Sequence, residues 1–170
     1  MYNVGTIDFE VYEDGSSFIG VASCTLPNKN QKTVTINGAG MGGDIDCAIS
    51  GQFDAMEMPM NFRGYTEGAA KLCEPRRHTI DLRIAEQHED PVQGTMKIVK
   101  VRHVMVVLPK SKSGGNVAPA SANETNIVTS VRYWATYIDG KKLEEFDPIN
   151  GINIINGVDY GEPIRKALGK

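Results

Sequence analysis

The sequence predicts a mainly β domain, and three observations carry that expectation. Apolar residues alternate with polar ones in several short runs, the period that sends successive side chains to opposite faces of a strand: Ile7, Phe9, Val11; Met56, Met58, Met60, Phe62; and Ile80, Leu82, Ile84. Turn dipeptides punctuate the chain at Asp139-Gly140, Asn150-Gly151 and Asn156-Gly157. Helical stretches are short and confined to Thr66–Cys73 and Gly161–Gly169. A length of 170 residues is enough for one domain, 1–170, with a proper core.

In chain order, Thr6–Tyr12 reads as a half-buried strand and Glu13-Asp14-Gly15-Ser16 as its turn. Phe18–Leu26 returns, interrupted by Gly20 and stopped by Pro27; Thr33–Ile36 is a short β-branched strand. Gly38, Ala39, Gly40, Met41, Gly42, Gly43 and Asp44 follow, and the whole Gly38–Gly51 segment is expected to be a loop. Its glycines match G-x-G-x-x-G, but a dinucleotide fingerprint needs a helix opening at the third glycine, and Asp44–Gly51 has no such pattern. Flexible glycines that let another chain come close to the backbone are the plainer explanation.

Gln52–Arg63 is the clearest strand, with Met56, Met58, Met60 and Phe62 on one face and Pro59 pointing to an edge or bulge. Thr66 is a suitable N-cap and Pro75 a stop for a helix over Thr66–Cys73. His78–Gln87 alternates again. Thr95–Leu108 shifts its apolar phase from Met96 and Ile98 to Val99 and Val101, which predicts a bulge or burial on both faces. Pro109–Asn126, rich in Ser, Gly, Ala, Asn and Pro, is expected to be a long exposed loop. Val131–Ile138, the Asp139-Gly140 turn and Lys141–Phe146 form a hairpin, and Asp147-Pro148 ends it. Ile152–Ile155 is a short strand between turns, and Pro163 near the start of Gly161–Gly169 suits a terminal helix.

Composition narrows the function. Apolar content of 41%, charged content of 23% and a net charge of −3 describe an ordinary globular chain without the basic surface of a nucleic-acid binder. No apolar run reaches the length of a membrane span, and the first ten residues lack a signal peptide's basic and apolar regions, so synthesis in the cytoplasm is expected. Cys24, Cys47 and Cys73 are odd in number and far apart, which argues against a disulfide framework. His78, His88 and His103 show no metal-ligand spacing, so neither a metal nor any other cofactor is expected. Asp44, Asp46 and Glu57 read as solvated carboxylates. Arg76-Arg77 and Lys97, Lys100 and Arg102 read as solvated strand edges or as charge pairs with a neighbouring subunit. No catalytic constellation emerges. A hairpin apolar on both faces (Val131, Tyr133 and Tyr137 against Trp134 and Ile138) needs its own core on one side and room for a neighbouring protomer on the other.

Several blocks carry a resemblance: Phe18-Ile19-Gly20-Val21-Ala22 leading to Thr25-Leu26-Pro27, Gly38-Ala39-Gly40-Met41, Ala55-Met56-Glu57, and above all Tyr137–Asp159 with I-D-G-K-x-L, F-D-P-I-N-G and I-I-N-G-V-D, then R-K-A-L-G. The chain resembles the major tail tube proteins of contractile-tailed bacteriophages and of R-type bacteriocins, and departs from them at its N-terminus and in Pro109–Asn126. The resemblance implies a small β-barrel or sandwich with one flanking α-helix, similar to the ring protein of type VI secretion. It implies hexameric rings stacked into a passive tube that a contracting sheath drives through a target envelope. Baseplate and tail-terminator proteins would be further partners, and DNA would pass down the lumen in a phage. The mature protein would sit in a virion tail or an extracellular tail-like particle, with no membrane insertion of the monomer. Expected ring-contact candidates are Gly38–Asp44, together with Asp147, Asn150, Asn156 and Asp159, which are either local turn makers or contacts between subunits. A secreted ring protein of a related injection system and a monomeric ligand-binding β-barrel are the alternatives.

Overall fold

The computed structural model describes residues 1–17 and 20–170. Twelve strands and two short helices follow in order: β1 (Tyr2–Glu13), β2 (Ser16–Ser17), β3 (Val21–Cys24), β4 (Gln31–Ile36), β5 (Ile45–Phe53), β6 (Met56–Arg63), α1 (Glu67–Leu72), β7 (His78–Asp90), β8 (Thr95–Ser113), β9 (Glu124–Ile138), β10 (Lys141–Asp147), β11 (Ile152–Ile155), β12 (Val158–Asp159) and α2 (Glu162–Ala167). Phe18 and Ile19, expected to begin the return from β1, lie outside the described residues.

Ten strands form one antiparallel sheet in the order β12-β11-β10-β9-β8-β7-β1-β2, with β6 also on β9 and β3 on β6. The other two, β4 and β5, pair only with each other. Strand β9 shares one of its sides between two partners: β6 takes Glu124–Val131 and β10 takes Trp134–Ile138. The two halves meet at a register shift, where Tyr133 faces Val106 but Val131 already faces Val107. One extra residue bends a strand and tightens its twist, so the sheet curls over a single core while staying open within the chain. The mainly β fold is the expected one, and the two short helices fall where the sequence placed helical turns, Thr66–Cys73 and Gly161–Gly169; the resemblance alone implied a single flanking helix.

The methionine stripe is the centre of that core. Met58, Met60 and Phe62 are fully buried, packed with Val11, Ile80, Leu82, Met105, Val107 and Ile127. Burying a side chain of this size contributes roughly 1.5–3 kcal/mol. Pro59 is tolerated because its carbonyl, which accepts from the Thr25 N–H at 2.9 Å, points to the β3 side, where pairing has just ended at Met60–Cys24. Thr66 caps α1 through its hydroxyl, which accepts from the Ala69 N–H at 3.2 Å, and Ala69 and Leu72 seat the helix on the core.

Two expectations change. The Pro109–Asn126 loop shrinks to residues 114–123, because β8 runs on to Ser113 and β9 begins at Glu124. Pairing of Ser111, Lys112 and Ser113 with Val128, Ile127 and Asn126 overrides the loop-like composition, and Pro109 sits beside a register shift that spares the ladder. At the phase change in β8 the ladder with β7 is continuous, so no bulge lies there. Val99 and Val101 are buried, whereas Met96 and Ile98 point to the opposite face and are exposed.

A buried ionic clasp ties α1 to the sheet. Glu13 and His78 are almost wholly buried, and His78 Nδ1 lies 2.6 Å from Glu13 Oε1. His78 Nε2 lies 3.0 Å from the Glu74 carbonyl, and Arg76 reaches Glu13 Oε1 at 3.1 Å. Lys71 stands 3.6 Å from Glu13 Oε2. Arg76 therefore has partners within its own chain, Glu13 and Glu74. Arg76 and Lys71 still balance the Glu13 charge without the imidazole, but a buried carboxylate oxygen and the Glu74 carbonyl lose a hydrogen-bond partner, so His78→Leu should lower stability by roughly 2 kcal/mol in urea unfolding. Thr79→Ala, at an exposed neighbour, should stay within about 0.5 kcal/mol.

Candidate assembly interface

The β4–β5 hairpin is an arm. Registers set Val34 opposite Cys47 and Ile36 opposite Ile45, so these residues and Ile49 share one face, while Thr33, Thr35, Asp46 and Ala48 share the other. Val34, Ile36, Ile45 and Ile49 are all between 41% and 53% exposed. A lone two-stranded hairpin is marginal in water, so a bare apolar face on one needs a cover. Gly38–Asp44 forms the tip. There the Met41 N–H donates to the Gly38 carbonyl at 3.1 Å, Gly40 takes φ +90°, and Met41 is 40% exposed. The expected Gly38–Gly51 loop is thus a loop only to Asp44; Ile45–Gly51 is strand, because its alternation finds a partner in β4. Gly43 leads into that strand, where a nucleotide fingerprint would open a helix.

The arm's root is fixed. The Lys29 ammonium lies 5.1 Å from the ring centre of Phe53 and 4.8 Å from that of Phe146, and donates to Asn153 Oδ1 at 2.7 Å. Burial pulls the Lys29 ammonium below its ordinary range, with Glu144 working the other way. Phe53 and Phe146 meet edge to face at 4.8 Å. Gly51 has φ +77°, and a Cβ there would come within 2.6 Å of Ile164 Cδ1 on α2. The left-handed backbone favours glycine there, and a Cβ would have to push the tip of the Ile164 side chain aside.

Next to this root lies the turn-rich C-terminal block. Asp147 Oδ1 accepts from the Ile149 and Asn150 amides at 3.0 and 3.1 Å, and its Oδ2 accepts from the Asn150 side chain at 2.6 Å. Asn156 and Gly157 take φ +50° and +84°, the two positive values of a tight hairpin turn. Asp159 accepts from the Asn153 and Gly161 amides at 3.3 and 2.8 Å and pairs with Arg165 of α2 at 2.6 Å. All four candidates thus have partners in their own chain. Sequence reasoning missed Arg165, Lys29 and Gly51, which join arm, block and helix.

Two stretches of sheet edge are also bare. Among the described residues no strand pairs with Tyr2–Val11 on the side away from β7, nor with Thr95–Val99 on the side away from β7. Exposed Tyr2, Val4, Ile7, Met96 and Ile98 accompany them.

The histidines and charged clusters are accounted for locally. His88 lies 3.1 Å from Glu86, and His103 Nδ1 accepts from Trp134 Nε1 at 3.2 Å. Burial keeps His103 below its ordinary range against the pull of Glu86. Lys97 pairs with Asp139 at 2.8 Å, Arg102 with Asp81 at 2.7 Å, and Lys110 with Glu57, so Lys97 and Arg102 are in-chain partners and Glu57 is more than a solvated carboxylate. All three cysteines are free, and burial pushes the Cys24 thiol up to about 12, well away from nucleophilic use at neutral pH. Among the described residues no group of three or more His, Cys, Asp or Glu is arranged to hold a metal, and no helix is long and apolar enough to cross a membrane.

A mainly β domain that leaves an apolar arm uncovered and, among the described residues, stretches of sheet edge unpaired has the surfaces of an assembling subunit. The chain belongs to the phage tail tube protein FII family, whose profile matches residues 6–169. It is 30% identical to the tail tube protein of Escherichia phage P2 over 162 residues, 94% of this chain and 93% of that one. Its fold is similar to the tube-terminating cap of the anti-feeding prophage (TM-score 0.57, 14% identity, 81% of this chain and 92% of that one). It is also similar to a chain of the PVC sheath–tube complex of an extracellular contractile injection system in the extended state (TM-score 0.54, 14% identity, 80% and 92%).

The Asp159 hub has a pH consequence. The hydrogen bond from Arg165 holds its carboxyl below the ordinary aspartate range, helped by the Gly161 and Asn153 amides. A depressed carboxylate stabilises the fold above its unfolded pKa, about 3.9, and that stabilisation is lost as pH falls through the folded value. Hydrogen-exchange protection of α2 should therefore drop below about pH 4. Asp159→Ala should show the same low protection at neutral pH, with the core strands unchanged.

Proposed function

We propose that this protein forms the inner tube of a contractile phage tail by closing into hexameric rings that stack along an axis. Family membership and 30% identity to a phage tail tube protein support the phage setting; the extracellular injection systems share the fold alone. The observation that carries the assembly step is the pairing of two kinds of incomplete surface on one chain. Bare edges on both sides of the β1–β7–β8 extension suit head-to-tail closure, in which the Tyr2–Val11 edge of one copy meets the Thr95–Val99 edge of the next. The apolar arm, with Gly38–Asp44 at its tip, suits contact with the adjacent subunit or ring. The local turns of Asp147, Asn150, Asn156 and Asp159 stiffen the block beside the arm's root and present it to the same neighbour.

The tube is a passive conduit, and the protein is structural in role rather than catalytic. A surrounding sheath supplies the force, baseplate and terminator proteins hold the ends, and DNA passes through the lumen. On that closure three strands from each of six copies, about 18 in all, surround the lumen, enough to leave an aqueous channel.

Electron microscopy of the concentrated protein should show sixfold rings and hollow tubes; compact monomers at every concentration, even with a baseplate initiator added, would sink the proposal. Met41→Asp should leave the fold and its unfolding midpoint intact while blocking stacking. Normal tubes from that variant would remove the tip from the axial contact.

A further inference from the structure

The sheet face turned away from the core carries a band of charge that runs across the strands. Strand registers align Tyr12, Asp81, Val104, Ala135 and Glu145 in one rung, and Glu10, Arg83, Arg102, Tyr137 and Lys142 in the next. The rung between them, with Val11 and Leu82, points into the core. Arg83, Arg102 and Lys142 thus meet Glu10, Asp81 and Glu145 in equal number.

One carboxylate holds two guanidinium groups. Arg102 donates through Nε and Nη2 to Asp81 at 2.7 and 3.0 Å, and Arg83 through Nε and Nη2 at 3.0 and 2.8 Å. Their flat faces lie over aromatic rings, Arg83 over Tyr12 at 4.6 Å and Arg102 over Tyr137 at 5.9 Å. Lys142 is tied to Glu145 at 2.7 Å, and Glu145 also accepts from the Tyr133 hydroxyl. Burial works against the charge on Asp81, but the hydrogen bonds from Arg102 and Arg83 outweigh it and hold the carboxyl below its ordinary range.

Ion pairs this exposed add little stability. Their effect on a passing anion is another matter. A guanidinium fork matches a phosphate bidentately, and each phosphate a protein neutralises adds roughly 0.7–0.9 to the salt slope of binding. A fork already filled by a fixed carboxylate has no such grip. In a ring whose strands run along the tube wall, a band that crosses the strands becomes a belt around the channel.

We infer that this band is the wetted wall of the channel and that Asp81, by occupying the forks of Arg83 and Arg102, keeps the wall from holding a phosphodiester chain in transit. The inference rests on the tube assembly proposed above. It assigns to Asp81 a role in transport that its contribution to folding would not reveal.

Two measurements on assembled tubes test it. Glu10→Cys, in a Cys47→Ser background, should react in tubes with a small maleimide but not with a maleimide carried on a globular protein, and with both in the dissociated subunit. Reaction with both reagents in tubes would place the band outside, and reaction with neither would place it in a contact; either overturns the inference. Wild-type tubes should not retain a fluorescent oligothymidylate at low salt. Asp81→Asn tubes should retain at least about tenfold more, with a steep loss as salt rises, and adding Arg83→Gln and Arg102→Gln should abolish the retention. Retention by wild-type tubes, or none by Asp81→Asn tubes, overturns the role of Asp81. Absence of tubes, seen by microscopy before any labelling, would instead overturn the assembly and the inference with it.

Discussion

Strand β8 is longer than the core it crosses, and much of the architecture follows from that mismatch. Its 19 residues span about 60 Å at ~3.3 Å per residue. A compact chain of this length has a radius of gyration of only about 15 Å. The core can cover the middle of β8, where Val99, Val101, Met105 and Val107 are buried, but not its ends. At one end the strand runs out with β7 and β1 as a three-stranded extension whose two edges are unpaired among the described residues. At the other it runs out with β9. Unpaired backbone groups and exposed Met96, Ile98 and Val4 at such an end invite another chain. A monomer with these features is a liability, and a protomer in a closed ring is not.

The second dependent feature is how the chain keeps its extended ends straight. Asp139, in the hairpin turn between β9 and β10, has φ +47° and donates its amide to the Lys100 carbonyl at 2.9 Å. Its carboxylate accepts from the Lys100 amide at 3.1 Å and from Lys97 at 2.8 Å. The bond from Lys97, then that from the Lys100 amide, draws its carboxyl below the ordinary range. The turn thus takes over the pairing of β8 just where β9 ends, so that the extension leaves the domain from a fixed base. On the other side the Glu13–His78 clasp fixes β1 and β7 to α1. Both devices use charge where apolar packing runs out.

Much of this was legible in the sequence, and what was missed was missed for identifiable reasons. The methionine stripe, the Thr66 cap and the Asn-Gly and Asp-Gly turns follow local rules, and local rules sufficed. The strand content of Ile45–Gly51 did not show, because the arm has no core to bury its alternating residues against and its acidic and small residues read as loop. Ser111–Ser113 were hidden for the opposite reason: their composition is loop-like, and only pairing with β9 holds them extended. Glu13 and His78 carried a usable signal. Each shares the parity of the buried residues on its strand, Val11 for one and Ile80 and Leu82 for the other, so both were due to face the core. A carboxylate and an imidazole predicted to face the same core from paired strands predict each other. The Lys29, Gly51 and Arg165 contacts join residues more than a hundred positions apart or depend on a helix docking, and no local pattern encodes them.

The arm's root shows how a projecting hairpin can be stiff without being part of the core. Lys29 sits against two aromatic rings from different elements, Phe53 at the end of the arm and Phe146 in the main sheet. A cation held this way resists sliding, since leaving either ring loses attraction and re-exposes apolar surface. Gly51 brings the arm within contact of Ile164, and Arg165 on the same helix bonds the Gly151 carbonyl at 2.7 Å and Asp159. The hairpin is therefore braced against the main sheet on one side and α2 on the other, while its tip stays free. Force applied along the arm is delivered to β10 and β11, which are paired in turn to β9 and so to the long strands. The tube proposed above, pushed from one end, needs a route of that kind, from the contact that receives the load to the strands of its wall.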